Sequence, residues 1–132
     1  MSEEKKIKIL LVDDEPDIVS MVKMRLEANN YEVLVANDGS TAYNLARSDS
    51  PDLIILDLML PQMDGYKVCG LLKKDSRYSK IPIILFTARA QETDKKMGEE
   101  VGADSYMSKT SEPKELLENI KLLLERRNNG KK

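Results

Sequence analysis

The sequence predicts an α/β domain: a parallel β-sheet with helices packed on both faces. Short apolar runs alternate five times with longer segments of helical period, the rhythm of repeated strand–helix units. The clearest run, Leu53 to Leu56, has no polar alternation, as expected for a central strand buried on both sides. A length of 132 residues suits one such domain with a substantial core.

Taken in order, Ile7 to Val12 reads as a first strand that stops at Asp13-Asp14. Pro16 opens a helix with Ile18, Val19, Val22 and Leu26 on one face. Tyr31 to Val35 is a second strand, closed by the turn signal Asn37-Asp38-Gly39, and Ala42, Leu45 and Ala46 mark the next helix. The third strand, Leu53 to Leu56, ends at Asp57. After Pro61, a helix starts at about Asp64 or Gly65 and carries Val68, Leu71 and Leu72. Ile81 to Phe86 forms a fourth strand, with Pro82 near its start, where a missing N–H is tolerable. The fourth helix is weaker, with Met97 and Val101 as its apolar pair and Gly98 interrupting it. Ser105 to Met107 is the core of a short fifth strand. The last helix begins near Glu112-Pro113 and is amphipathic through Leu116, Leu117, Ile120, Leu123 and Leu124. The single domain is expected over 1–132, with its core at about 6–126 and a polar tail at 128–132.

Composition narrows the function. Hydrophobic residues make up 41% and charged residues 33%, with a formal net charge of −2, so a nucleic-acid binder working through a strong positive field is disfavoured. No apolar run is long enough for a membrane span, and the N-terminus lacks the apolar core of a signal peptide. The lone Cys69 cannot form an internal disulfide and reads as a packed core thiol, and a reducing cytoplasm is the expected location. There is no histidine, so histidine chemistry has to come from a partner.

In an open parallel sheet the strand ends share one rim, where ligands bind. Here Asp13-Asp14 follow the first strand, Asp57 the third, Thr87 the fourth and Lys109 the fifth, whereas the second strand ends without a comparable group. Three convergent carboxylates repel one another unless a cation compensates. Mg²⁺ suits them, since it takes oxygen ligands and commonly uses one or two carboxylates plus phosphate oxygens. A lysine and a threonine hydroxyl complete a set suited to phosphoryl transfer, with a carboxylate nucleophile forming an acyl phosphate. Taken singly these residues have plainer readings: Asp64 as a helix cap, the Asp13-Asp14 pair as a cap of the following helix, Thr87 as a turn hydroxyl. The coincidence of the strand ends favours the site.

The segments Ile9-Leu10-Leu11-Val12-Asp13-Asp14-Glu15-Pro16, Asp52 to Gly65, Ile81 to Ala88 and Gly102 to Lys109 resemble the receiver domain of bacterial two-component response regulators, over roughly Lys6 to Arg126. The resemblance implies a flavodoxin-like (βα)5 three-layer sandwich with strand order 2-1-3-4-5. It implies that Asp57 accepts a phosphoryl group from a phosphohistidine on a histidine kinase or phosphotransfer protein. Asp14, Asp57 and the Met59 backbone carbonyl would ligate Mg²⁺, with Asp13 acting mainly through water. Thr87 and Lys109 would contact phosphoryl oxygens, and the small Ala88 would leave the acceptor accessible. Tyr106 resembles the aromatic switch that moves inward with Thr87, remodelling the surface of helix four, strand five and helix five. Such a domain is a signalling receiver that assists only its own phosphorylation and slow autodephosphorylation.

Two departures stand out. Most receivers follow the lysine with a cis-linked proline and then a large apolar residue, where this chain has Thr110 and Ser111. A non-proline cis bond costs about 3 kcal/mol, so the Lys109–Thr110 bond is expected to be trans with a reshaped loop. The rate-tuning positions hold Met59 and Arg89, which would shield the phosphoaspartate and slow its hydrolysis. Haloacid-dehalogenase-like phosphatases need an Asp-x-Asp motif after the first strand, and flavin modules need a Ser/Thr/Gly-rich loop there. This chain has neither. A phosphorylation-independent pseudo-receiver and the receiver part of a longer DNA-binding regulator are the alternatives. The expected partners are the kinase and a downstream protein or an effector domain. Neither nucleic acid nor membrane is expected to bind this domain directly, which would be a monomer or a phosphorylation-dependent dimer.

Overall fold

Strand β1 (Lys8–Val12) lies between β2 (Glu32–Ala36) and β3 (Leu53–Leu56), and β4 (Ile83–Thr87) and β5 (Ser105–Ser108) extend the sheet in the order β2-β1-β3-β4-β5. All four pairings are parallel. The computed structural model describes residues 6–60, 63–88 and 92–129. Helices α1 (Pro16–Ala28), α2 (Gly39–Asp49), α3 (Gly65–Lys74), α4 (Glu92–Glu100) and α5 (Pro113–Asn129) connect or follow the strands. This is the expected flavodoxin-like order, and the strand order reverses between β1 and β3.

The uninterrupted apolar strands have two partners each. Ile9, Leu11, Leu53, Ile55, Ile84 and Phe86 pack toward Val22 and Leu26 of α1 and Leu116, Ile120 and Leu123 of α5. Alternate residues Leu10, Val12, Ile54, Leu56, Ile83 and Leu85 pack toward Ala42 and Ala46 of α2 and Val68, Cys69 and Leu72 of α3. Cys69 is fully buried, and burial pushes its thiol up to about 12, as suits an inert packing group.

Local chemistry sets the boundaries. Pro16 begins α1, whose N-cap residue is Glu15, with no cap bond from its own side chain; Asp13 Oδ1 accepts from the Glu15 N–H at 2.9 Å just before the helix. Asp38 and Asp64 do act as caps, accepting from the N–H groups of Thr41 and Lys67 at 2.7 and 2.9 Å. The fourth strand starts two residues later than the apolar pattern, after Pro82. Pro82 has no N–H for the ladder, but its carbonyl accepts from Ile54 N at 2.9 Å. Leu71 and Met97 are exposed and face away from the core.

Candidate functional site

The backbone carries the acidic residues to one rim by extending the ladder. Asp13 N, just beyond β1, donates to the O of Ala36, the last residue of β2, at 3.1 Å, and Asp57 N donates to Val12 O at 3.0 Å. Lys109 N donates to Thr87 O at 2.7 Å, fixing the exit of β5 against β4. Behind Asp57, Gly65 N donates to Leu58 O at 3.1 Å. A Cβ on Gly65 would stand 2.3 Å from the Asp57 carbonyl oxygen, so only glycine lets α3 begin so close to this backbone.

Asp13, Asp14 and Asp57 each present a carboxylate oxygen within 4.8 Å of the others. Asp13 and Asp57 are buried, and Asp14 is exposed at the mouth. Asp57 Oδ1 accepts from Met59 N at 3.2 Å. Lys109 reaches into the same pocket: its Nζ stands 2.7 Å from Asp13 Oδ2, 2.7 Å from Glu15 Oε1 and 3.1 Å from Asp57 Oδ2. Asp13 Oδ1 accepts from Glu15 N at 2.9 Å. Buried Oδ2 has the Lys109 charge beside it but no aligned hydrogen-bond donor among the described residues.

Burial raises the Asp57 carboxyl above its ordinary value, and the charge of Asp13 adds to this; the hydrogen bonds from Lys109 and the Met59 amide only partly oppose it. Burial works against the Lys109 ammonium, but the close carboxylates of Asp13, Glu15 and Asp57 outweigh it and hold the pKa above the usual lysine range. The pocket therefore carries more negative charge than one lysine neutralises. An all-oxygen donor set of three carboxylates, with more negative charge than one lysine offsets, fits a hard divalent cation.

Thr87 ends β4 on this rim, is buried, and stands opposite Ser108 in register. Tyr106 is half-buried on β5 and packs with the α2–α3 side of the core. Met59 is exposed beside the pocket, and Arg89 lies outside the described residues. No described peptide bond is cis, so Lys109–Thr110 is trans as expected. Sequence reasoning missed two residues. Glu15 pairs with Lys109, and Asn37, directly after β2, donates from Nδ2 to the Asp13 carbonyl at 3.2 Å. Asn37's place at a strand end was the available signal, so the second strand does end in a useful group.

Residues 9–121 match the family of the response regulator receiver domain. The chain belongs to that family. This receiver domain is 44% identical over 119 residues to the alkaline phosphatase synthesis transcriptional regulatory protein PhoP of Bacillus subtilis, covering 90% of this chain and 49% of that protein. It thus spans about half the length of the curated relatives it matches. Among solved structures it is similar to a putative response regulator from Chloroflexus aurantiacus, at 33% identity and TM-score 0.87, covering 91% and 98% of the two chains. It is also similar to a CheY-like receiver domain protein from Methanospirillum hungatei, at 28% identity and TM-score 0.89, covering 96% and 99%. A receiver domain is a signalling module, receiver domains in general bind Mg²⁺, and this chain gathers three carboxylates that could hold a metal ion. No helix among the described residues is long and apolar enough to cross a membrane.

Proposed function

We propose that this receiver takes a phosphoryl group onto Asp57 from a phosphohistidine on a partner histidine kinase or phosphotransfer protein. A carboxylate oxygen of Asp57 attacks phosphorus, the P–N bond breaks, and the imidazole leaves and takes up a proton. Asp14, Asp57 and the Met59 carbonyl would hold Mg²⁺, with Asp13 acting through water. Bound there, Mg²⁺ supplies charge neutralisation for the incoming phosphoryl oxygens. Lys109 pairs with one phosphoryl oxygen and the Thr87 hydroxyl with another, while Tyr106 follows Thr87 inward and changes the α4–β5–α5 surface. Met59 and Arg89 shield the acyl phosphate from water and keep autodephosphorylation slow.

The observation that carries this reading is the convergence of Asp13, Asp14, Asp57 and Lys109 from the ends of β1, β3 and β5. The similarity to longer transcriptional regulators supports a receiver that controls an effector domain, through a monomer or a phosphorylation-dependent dimer, in the cytoplasm. On this reading 1–132 is one domain, its core at about 6–126. Incubation with acetyl phosphate and Mg²⁺ followed by intact mass tests the central step. The parent should gain one phosphoryl group and Asp57→Asn none; an unlabelled parent, beside a labelled control receiver, would sink the proposal.

A further inference from the structure

Lys109 has to cross from β5, at the sheet edge, to carboxylates at the ends of β1 and β3. Its side chain is 6% exposed and ends 2.7–3.1 Å from three of them. Holding so long a side chain in one conformation costs rotamer entropy, and its reach depends on where the backbone stands. Before Lys109 the backbone is fixed by its N–H to Thr87 O. After it, no proline stiffens the turn, and Ser111 gives no apolar anchor. A small cavity lined by Phe86, Lys109, Ser111, Pro113 and Leu116 lies beside this turn.

What holds the turn is hydroxyl chemistry. Ser111 N donates to Ser108 O at 3.0 Å, closing a turn around Lys109 and Thr110. Within it, Thr110 N donates to Ser108 Oγ at 3.1 Å, and the two hydroxyls, Ser108 Oγ and Thr110 Oγ1, lie 2.7 Å apart in a hydrogen bond. The Ser108 hydroxyl thus engages both the backbone and the side chain of Thr110. Ser108 is itself anchored in the sheet opposite Thr87.

We propose that Ser108 and Thr110 are positioning residues, a hydroxyl latch that fixes the trans turn and so aims the Lys109 ammonium into the acidic pocket. The inference rests on Lys109 serving the phosphoryl group, and two readouts separate the two claims. One is the initial rate of acetyl phosphate labelling in Mg²⁺, by intact mass. The other is the ¹⁵N–¹H NMR signal of Lys109 Nζ, recorded without metal or phosphodonor. Thr110→Val removes one hydroxyl and keeps the shape. It should slow labelling about two- to fivefold, the weight of one solvent-accessible hydrogen bond, and move the Nζ signal toward those of free lysines. Ser108→Ala removes both bonds and should do at least as much. Thr110→Ser should restore rate and signal. A Thr110→Val protein with the parent's rate and signal, or a Thr110→Ser protein no better than Thr110→Val, would overturn the latch. If the parent takes no phosphoryl group, the phosphoacceptor reading fails and the NMR arm alone decides. There, an unmoved Nζ signal overturns the latch, and a shift reversed by Thr110→Ser supports it.

Discussion

At the scale of single residues, Asp57 pays for its chemistry in stability. Burial raises its pKa, so in the window above the ordinary carboxylate value of 3.8 the folded chain binds more protons at this site than the unfolded chain. Stability therefore falls as pH rises through that window, and above it the ionised side chain remains a cost. In metal-free buffer Asp57→Asn should raise Tm by a few degrees at pH 7, and the gain should vanish below pH 3.8, where both carboxyl states are neutral. Thermal melts across pH check this; a Tm at pH 7 equal to or below the parent's would contradict it. The aspartates were readable from sequence because each ends an apolar run. Glu15 was not, since its contact with Lys109 spans 94 positions and depends on side-chain conformations that no local pattern encodes. The Ser108–Thr110 bond was hidden differently: the missing proline was visible, but what replaces it is a turn geometry.

At the scale of elements, the strands fell within two residues of their predicted bounds, because two-sided burial leaves a strong apolar signature. Helix α4 was the hard element. Its apolar pair splits, with Met97 exposed and Val101, partly buried, falling just past the helix end, while Gly98 between them is buried. Sequence alone reads Gly98 as a helix weakener worth about 1 kcal/mol relative to alanine. In the fold it is a packing surface. A Cβ there would stand 2.9 Å from Leu85 Cδ1 and 3.3 Å from Tyr106 Cδ2. Leu85 is fully buried in β4, so its methyl has little room to retreat. The steric term should outweigh the propensity term, and Gly98→Ala should lose roughly 1 kcal/mol despite its better helix former. Urea unfolding measures this; a stabilised variant would show that α4 shifts outward freely. Because the same Cβ presses on the Tyr106 ring, near-ultraviolet circular dichroism of the tyrosines should change with it.

At the scale of the whole molecule, the pocket exists only when the sheet is complete. Asp13, Asp57 and Lys109 come from three strand ends, joined through β1–β3–β4–β5 pairing, so the unfolded chain has no comparable group of oxygens. A cation held there binds the folded state alone and must stabilise it by mass action, about 1.4 kcal/mol at ten times its Kd. Mg²⁺ should therefore raise Tm in a saturable way, by a few degrees in a domain of this size. Asp14 is the clean test of this coupling. It is exposed and takes part in none of the ion pairs among the described residues, so Asp14→Asn should leave the metal-free Tm nearly unchanged. The variant should nevertheless lose most of the Mg²⁺-induced rise, because it removes a charged oxygen ligand at the mouth of the pocket. Sodium chloride at matched ionic strength controls for screening, which relieves carboxylate repulsion without occupying a site. If sodium chloride reproduces the rise, or Asp14→Asn keeps it, the stabilisation comes from diffuse charge and the three carboxylates do not act as a metal site.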